Sequence, residues 1–433
     1  MTLKPLHTPP LSSWILFFGL LLACLFVFYP GQLSPDSLSI YAQAQAHQYS
    51  DHHPPLMGYL WHYLDLIVKG PLLMYLINLG LIWSALYILA FKIFTAQKNK
   101  LLHYYVLCIP LIPHVACYAG FVWKDLIFAY GYGLISVYLA LKTMKEEPIS
   151  RKASFLLGCL LFYATAVKYQ AQFILPLVMG WYTYVQSRFK VGPTLLKAVP
   201  LSALFIILIH HTNQHLVTNQ GQGSSNSWKY VKIYDLAGMS VRAQTVLIPT
   251  AFHKKAVTVA DVESAYSFEW EPLITGPNAP FRAPITDAEL KIIQSTWWQA
   301  VRAHPTLYIA HRWSIWKKGI LFGVPGKAWL DQKLGKDNFI STYLVPLGIL
   351  TAYVFILPFQ LLFFVLGMRG LRHAHTRGAA RTLLFMGSMG AMLLCVLLIF
   401  SLAAVPRYIY FTNYLFMLSV PFAFLNHQAR KPE

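Results

Sequence analysis

Residues 14–30 read WILFFGLLLACLFVFYP. The run carries no charge and is long enough to cross the hydrocarbon core of a bilayer as a helix. Comparable stretches recur at 71–94, 102–119, 126–142, 153–168, 170–187, 195–211, 341–367, 383–405 and 408–426. Lipid offers no partner to a bare backbone N–H or C=O, so helices are the spanning form for segments this apolar. The expected fold is an all-α polytopic membrane protein with about ten transmembrane helices. Composition agrees: 56% of the 433 residues are hydrophobic and 12% charged, against about 25% charged in a soluble protein. A soluble multidomain chain would need cores larger than domains usually support.

Lys4 precedes the first run, and Ala42-Gln43-Ala44 and Ala44-Gln45-Ala46 resemble signal-peptidase sites. They lie too far beyond the apolar run for that geometry, so the segment reads as an uncleaved span. The five cysteines, Cys24, Cys108, Cys117, Cys159 and Cys395, lie in or beside apolar spans and read as small buried residues.

The formal charge of +19 would raise nucleic acid as a partner for a soluble chain. Here the cations sit in short loops between spans. Lys98 and Lys100 follow the second, Lys142, Lys145, Arg151 and Lys152 the fourth, and Arg188, Lys190 and Lys197 the sixth. Arg369, Arg372, Arg377 and Arg381 follow the eighth, and Arg430 and Lys431 end the chain. All fall on one side if the N-terminus is cytoplasmic, which makes the C-terminus cytoplasmic too. The bilayer, not nucleic acid, is then the expected partner.

The opposite side receives residues 31–70, the turn at Lys124-Asp125, the junction at Lys168, a long segment 212–340 and the turn at Pro406-Arg407. These pieces could converge on one outward-facing cavity. The chain therefore divides into an N-terminal transmembrane module, 1–211, with its first outer loop at 31–70, an outer segment, 212–340, and C-terminal helices, 341–433. No internal repeat is visible, which argues against a transporter built from inverted halves. In the outer segment, residues 220–227 (QGQGSSNS) read as a flexible loop. Thr286-Asp287-Ala288-Glu289 is a capping box that opens a helix through Trp297 and Trp298. His304-Pro305 ends it, and a second helix follows through His311, Arg312, Trp313, Trp316 and Lys317, a mixture that suits lipid headgroups. Tyr234-Asp235-Leu236 and His311-Arg312 read as structural.

The chemistry-bearing residues sit behind the first span. Ser34 suits a helix N-cap, Pro35 the first helical position and Asp36 the first turn. Asp36 could merely complement the helix dipole. A carboxylate held there is also placed to take a proton from an incoming hydroxyl or amine. Downstream, Asp51-His52-His53-Pro54-Pro55-Leu56 is stiffened by two prolines, which fix side-chain directions at low entropic cost. The plain alternative is a loop with Asp51 capping the next helix. Two adjacent histidines do not easily share one ion, so no metal or cofactor is called for, a divalent ion remaining the open alternative.

The pattern Asp-x-His-Pro-Pro-Leu, behind an acidic residue in the first outer loop, resembles the protein O-mannosyltransferases. It is also similar to the aminoarabinose transferases that modify lipid A. Both belong to the GT-C superfamily of polyprenyl-phosphate-sugar-dependent glycosyltransferases. The resemblance implies that Asp36 is the catalytic acid residue of the first loop and that Asp51 and His53 support it. The mannosyltransferases usually have Asp-Glu where this chain has Asp36-Ser37, so a mannosyl donor does not follow. Trp123-Lys124-Asp125 resembles the second acidic position of the superfamily. Lys168-Tyr169-Gln170 resembles a basic residue opening the sixth span, and Pro406-Arg407-Tyr408 an Arg-Tyr motif before the last one. Each has a bland alternative: an interfacial Lys-Asp pair, a snorkelling lysine, a snorkelling arginine.

The resemblance covers roughly residues 10–200 and the Arg407 region. It implies an inverting transferase in a bacterial inner membrane, with its active site on the periplasmic face. A monosaccharide would move from a polyprenyl phosphate to a glycan, lipid or protein. Asp36, Asp51 and Asp125 would be the catalytic carboxylates, and His53, Lys124, Lys168, Tyr169, Arg407 and Tyr408 would bind substrate. Two alternatives remain beside it: a ligase or polymerase using lipid-diphosphate glycans, and a flippase with no chemistry.

Overall fold

The computed structural model describes residues 9–94, 100–218, 228–267, 271–321 and 356–428. Among these residues the regular structure is helical, with pairing between extended segments limited to isolated bridges. Helix α1 (Leu11–Phe28) is followed by two short helices in the first loop, α2 (Pro35–Ala46) and α3 (Leu56–Ile67). Helix α4 (Leu72–Tyr87) continues into a π-helical stretch at Ile88–Phe94. After α5 (Lys100–Cys108) and α6 (Pro113–Ala116) comes α7 (Lys124–Lys145), then α8 (Arg151–Ala166), α9 (Leu175–Gln186) and α10 (Val191–Leu216). The outer segment holds α11 (Trp228–Ala243), α12 (Val259–Ala265), α13 (Glu271–Ile274), α14 (Asp287–Ala303) and α15 (Pro305–Leu321). Helices α16 (Ile356–Gly370), α17 (Arg377–Phe400) and α18 (Tyr410–Gln428) complete the described chain.

Six of these helical stretches are long and apolar enough to cross a membrane: Leu11–Phe28, Leu72–Phe94, Lys124–Lys145, Val191–Leu216, Arg377–Phe400 and Arg407–Leu425. Each coincides with an expected span, so the chain is a multi-pass membrane protein. The other four expected spans are shorter helices or lie partly outside the described residues. Pro110 and Pro113 break the stretch 102–119 into α5, a 3₁₀ turn and α6, because each lacks an N–H for the helical ladder. Helix α8 has 16 residues. A 3₁₀ turn at Tyr169–Phe173 uses up the start of the stretch 170–187 and leaves α9 only 12 residues, roughly 18 Å at 1.5 Å per residue. Of the stretch 341–367, residues 341–355 lie outside the described part.

Helix α7 lies at the centre of the bundle. One apolar core takes residues from α1, α4, α7, α9, α17 and α18, so the two terminal membrane portions pack as one body. A second core, built on Ile233 and Tyr234 of α11, Val262 of α12, Ile293 of α14 and Ile315 of α15, gives the outer segment its own interior. The expected capping box at Thr286 and Glu289 is formed in both directions, and Pro305 opens α15. Trp316 Nε1 donates to Leu394 O at 2.9 Å and Arg312 Nη1 to Ser401 O at 2.6 Å, which ties this outer unit to the end of α17.

The two ends of α7 differ in character. At the Lys145 end, Arg381 pairs with Glu146 at 3.4 Å and lies 4.2 Å from the Phe189 ring centroid. The turns after α7 and before α10 thus meet the start of α17, and the basic loops gather there. The Lys124 end carries the candidate site.

Candidate functional site

The site begins with the cap of α2. Ser34 Oγ accepts from Ser37 N at 3.3 Å, Pro35 takes the first helical position and Asp36 falls in the first turn, as the sequence leads one to expect. The loop is then stitched to the turn before α7. Gln32 N donates to Gly120 O at 2.8 Å, Val122 N to Gln32 O at 3.0 Å, and Ser37 Oγ to Val122 O at 2.6 Å. Trp123 Nε1 donates to Ser34 Oγ. Residue 120 must be glycine for this approach: a Cβ there would lie 2.5 Å from the Phe28 ring and 2.9 Å from the Gln32 amide. The stitching delivers Asp36 to the N-terminus of α7, where Lys124 and Asp125 begin.

From the far end of the chain, the 3₁₀ turn Pro406–Ile409 brings in Arg407. Its Nη2 pairs with Asp36 Oδ2 at 2.7 Å. Its guanidinium carbon lies 5.2 Å from the Trp123 ring centroid and 5.7 Å from that of Tyr408. Lys168 occupies an extended break between α8 and the 3₁₀ turn that follows. Its ammonium donates to Asp125 Oδ1 and sits 4.7 Å from the Tyr408 ring centroid. Lys124 donates to His53 Nδ1. Burial, reinforced by the Lys124 charge, holds the His53 imidazole far below its ordinary value, so it is neutral and free to accept that bond.

Asp36, His53, Lys124, Asp125, Lys168, Arg407 and Tyr408 therefore come together. Lys124 feels the charges of Lys168, Asp125, Asp36 and Arg407 at once. Three cations face two carboxylates, so the cluster has the charge to take a further anion. The pairs differ in access: Asp125 and Lys168 are 5% and 6% exposed, Asp36 and Arg407 28% and 17%.

Two expected residues stand a step aside. Asp51 has Lys229 and His52 as its charged neighbours rather than Arg407 or Lys168, and burial pushes its carboxyl up. Tyr169 reaches Asp51 through the backbone, its hydroxyl donating to Asp51 O at 2.8 Å. His52 lies between the groups and feels Lys124, Asp36 and Asp51. Sequence reasoning assigns no role to Ser37 or His52, and none to the indole of Trp123. Nothing in a single chain marks Ser37. Trp123 adjoins a singled-out pair, but its contact with Ser34 depends on the Gln32–Phe121 bridge.

The structural reading of Tyr234-Asp235 and His311-Arg312 agrees with the geometry. Asp235 takes Arg312 Nη2 at 2.6 Å, Trp297 Nε1 at 2.8 Å and His311 Nε2 at 3.2 Å, and both Asp235 and His311 are fully buried. Tyr266 OH meets His311 Nδ1 at 2.8 Å. Among the described residues, no group of three or more His, Cys, Asp or Glu side chains is arranged to hold a metal ion.

A cavity of about 160 Å³ lies not at the charge cluster but deeper in the bundle, lined by Ile135 and Leu139 of α7, Leu157 and Leu161 of α8, Val178 of α9 and Phe205 of α10. It starts roughly 15 Å along α7 from Asp125, taking 1.5 Å per residue. Its lining is mainly apolar, with Ser154 and Tyr182 as its polar members, and it suits a hydrocarbon chain rather than chemistry. No family model, no curated protein and no solved structure matches the chain.

Proposed function

We propose that the protein is an integral-membrane glycosyltransferase that moves a monosaccharide from a polyprenyl phosphate to an acceptor hydroxyl or amine outside a bacterial inner membrane. The observation that carries this reading is the meeting of Asp36, from the first outer loop, with Arg407, from the start of the last membrane helix, beside Lys124, Asp125 and Lys168. Ionisable groups placed against apolar helix ends are costly and are retained where they serve a purpose.

In this mechanism the leaving phosphate replaces Asp36 as the partner of Arg407, whose planar fork suits a phosphate better than a point charge does. Lys124 and Lys168 offset the charge that develops as the bond between the anomeric carbon and the phosphate oxygen breaks. Asp36, released, takes the proton of the acceptor as the new glycosidic bond forms. Asp125 holds Lys168, and His53 holds Lys124 in the neutral-acceptor geometry described above. The resemblance to GT-C enzymes favours a single displacement with inversion. The apolar cavity between α7, α8, α9 and α10 supports a long hydrocarbon tail on the donor. Termini on the cytoplasmic side and the charge cluster on the periplasmic side follow from the positive-inside pattern.

The excess of cations over carboxylates also suits a diphosphate, which favours as the second reading a ligase or polymerase acting on lipid-diphosphate glycans. One experiment separates the readings. Membranes containing the protein are incubated with radiolabelled polyprenyl-phosphate monosaccharides and, separately, with an oligosaccharide-diphosphate lipid. Transfer of a monosaccharide label with release of polyprenyl phosphate supports the transferase. Transfer only from the diphosphate supports the ligase. Movement of lipid between leaflets, with no polyprenyl phosphate released, overturns both in favour of a transporter.

A further inference from the structure

The rim beside the charge cluster carries an arrangement that the proposed transfer does not use. Tyr169 and Trp228 are exposed at 39% and 40%, so each ring presents part of its surface outward. Neither is loosely placed. The Tyr169 hydroxyl is anchored on Asp51 O at 2.8 Å, and the Trp228 ring meets Phe400 edge to face at 4.8 Å. His52, also exposed, packs 6.1 Å from Tyr230 at the start of α11 and 4.6 Å from His53. His53 in turn touches Lys124. The half-buried Asp51 carboxylate sits near Tyr169 and Tyr230, within the field of Lys229 and His52, and Trp228 adjoins this group through Lys229 in the chain. Flat aromatic faces, an imidazole and one carboxylate thus form a rim that is continuous with the site through two adjacent histidines.

We propose that this rim, made by Asp51, His52, Tyr169, Trp228 and Tyr230, is a saccharide-binding platform, and that the acceptor is a glycan. The inference rests on the transferase reading and deepens it by naming the acceptor class. A pyranose ring has one face of C–H bonds, which carry partial positive charge and settle on the electron-rich face of an aromatic ring. Its equatorial hydroxyls are donors for a carboxylate and for a neutral imidazole nitrogen. Rigid rings spend little conformational entropy on ordering, which suits a weakly held polar ligand. A lipid acceptor would need a continuous apolar groove here, and the carboxylate interrupts it. Because α11 and the first loop each supply part of the rim, the outer unit becomes the element that presents the acceptor to Asp36.

The test uses the full-length protein in detergent or nanodiscs and saturation-transfer NMR with three defined probes: N-acetylchitobiose, a mannobiose and a galactobiose, with hexaethylene glycol as the non-sugar control. Binding of undecaprenyl phosphate is measured on the same sample. At least one disaccharide is expected to receive saturation on its C–H face. Trp228→Ala and Tyr169→Ala are each expected to weaken it about tenfold. Tyr169→Phe, which keeps the ring and drops the hydroxyl, should weaken it far less. Should Trp228→Ala fail to fold, Tyr169→Ala and Tyr169→Phe make the same comparison. If no disaccharide binds while undecaprenyl phosphate does, the platform is wrong and the transferase reading survives. Sugar binding indifferent to ring removal also overturns the platform and makes the rings interfacial anchors. If the sugar binds through the rings while undecaprenyl phosphate does not bind, the platform stands and the transferase reading falls.

Discussion

Two groups of buried acids and bases occupy this molecule, and they are built to opposite ends. In the outer unit Asp235 is fully buried and takes hydrogen-bonding or ionic partners from Arg312, Trp297 and His311. Burial, opposed by Asp235, pushes the His311 imidazole below its ordinary value, so Arg312 is the cation that pairs with Asp235. Gly238 lets it close, since any Cβ at that position would overlap the His311 ring. At the membrane helix ends, by contrast, Lys124, Lys168 and Arg407 face Asp36 and Asp125, and the Asp36–Arg407 pair is partly open. A neutral, sealed cluster can only hold the fold, at the risk of heavy loss when one partner goes. A cationic and accessible one can exchange a carboxylate for a phosphate.

The largest expected effect tests the open cluster. Asp36→Asn should lower transfer by about 10²–10⁴-fold, the usual worth of a general base, while the thermal midpoint stays close to the parent's. Radiolabel transfer and a melting curve on the same preparation measure both. Undiminished transfer would make the Asp36–Arg407 pair a structural bridge and erase the contrast with Asp235. The sealed cluster should behave in reverse. Asp235→Ala leaves the Arg312 guanidinium, 3% exposed, without its carboxylate, and a loss of about 3–5 kcal/mol of stability is expected. Transfer per folded molecule should be unchanged, because the variant leaves the donor site alone. A selective loss of transfer with normal stability would show that the sealed cluster itself takes part in the chemistry.

A smaller effect is expected from Arg407→Lys. The charge remains, but the planar fork and its stacking on Trp123 are lost. The KM for the lipid donor should rise about tenfold, one strong charged hydrogen bond's worth, with a smaller change in kcat. An equal fall in kcat and no change in KM would place Arg407 on the transition state alone.

The sequence made some of this legible and hid the rest for physical reasons. Ser34, Pro35 and Asp36 announce a helix start because caps depend on neighbours within one turn. The capping box at Thr286 and Glu289 is legible on the same ground. Parity of spans suffices to put Asp36 and Arg407 on one side, though they are 371 residues apart. Which cation meets which carboxylate depends on how α7 and α18 rotate against each other, and packing decides that. So the sequence marks Lys168 and Arg407 as anion binders without revealing that Asp125 and Asp36 hold them. The lengths of α5, α8 and α9 were equally hidden, since apolar composition does not show where prolines and a 3₁₀ turn cut a helix short. Asp235 and His311 lie far apart in the chain, and only the folded outer unit shows them as partners.

The smallest effect compares the two clusters through their histidines. Burial holds both His53 and His311 below the ordinary histidine value, so each is neutral in the folded protein and takes up a proton near pH 6.5 when unfolded. The unfolded chain then binds more protons as pH falls, and stability must drop through that value rather than rise. His53 should contribute a loss of about 1 kcal/mol between pH 6.5 and 5.5, and His311 a further loss of the same sign. Thermal midpoints at pH 7.5, 6.5 and 5.5 read this out. His53→Gln keeps an acceptor for Lys124 and should flatten part of the acid-side decline, as His311→Gln should flatten another part. Only the first should also shift the pH profile of transfer, because only His53 touches a cation of the open cluster. If both variants move that profile, or neither flattens the melting curve, the division between a sealed structural cluster and an open functional one does not hold.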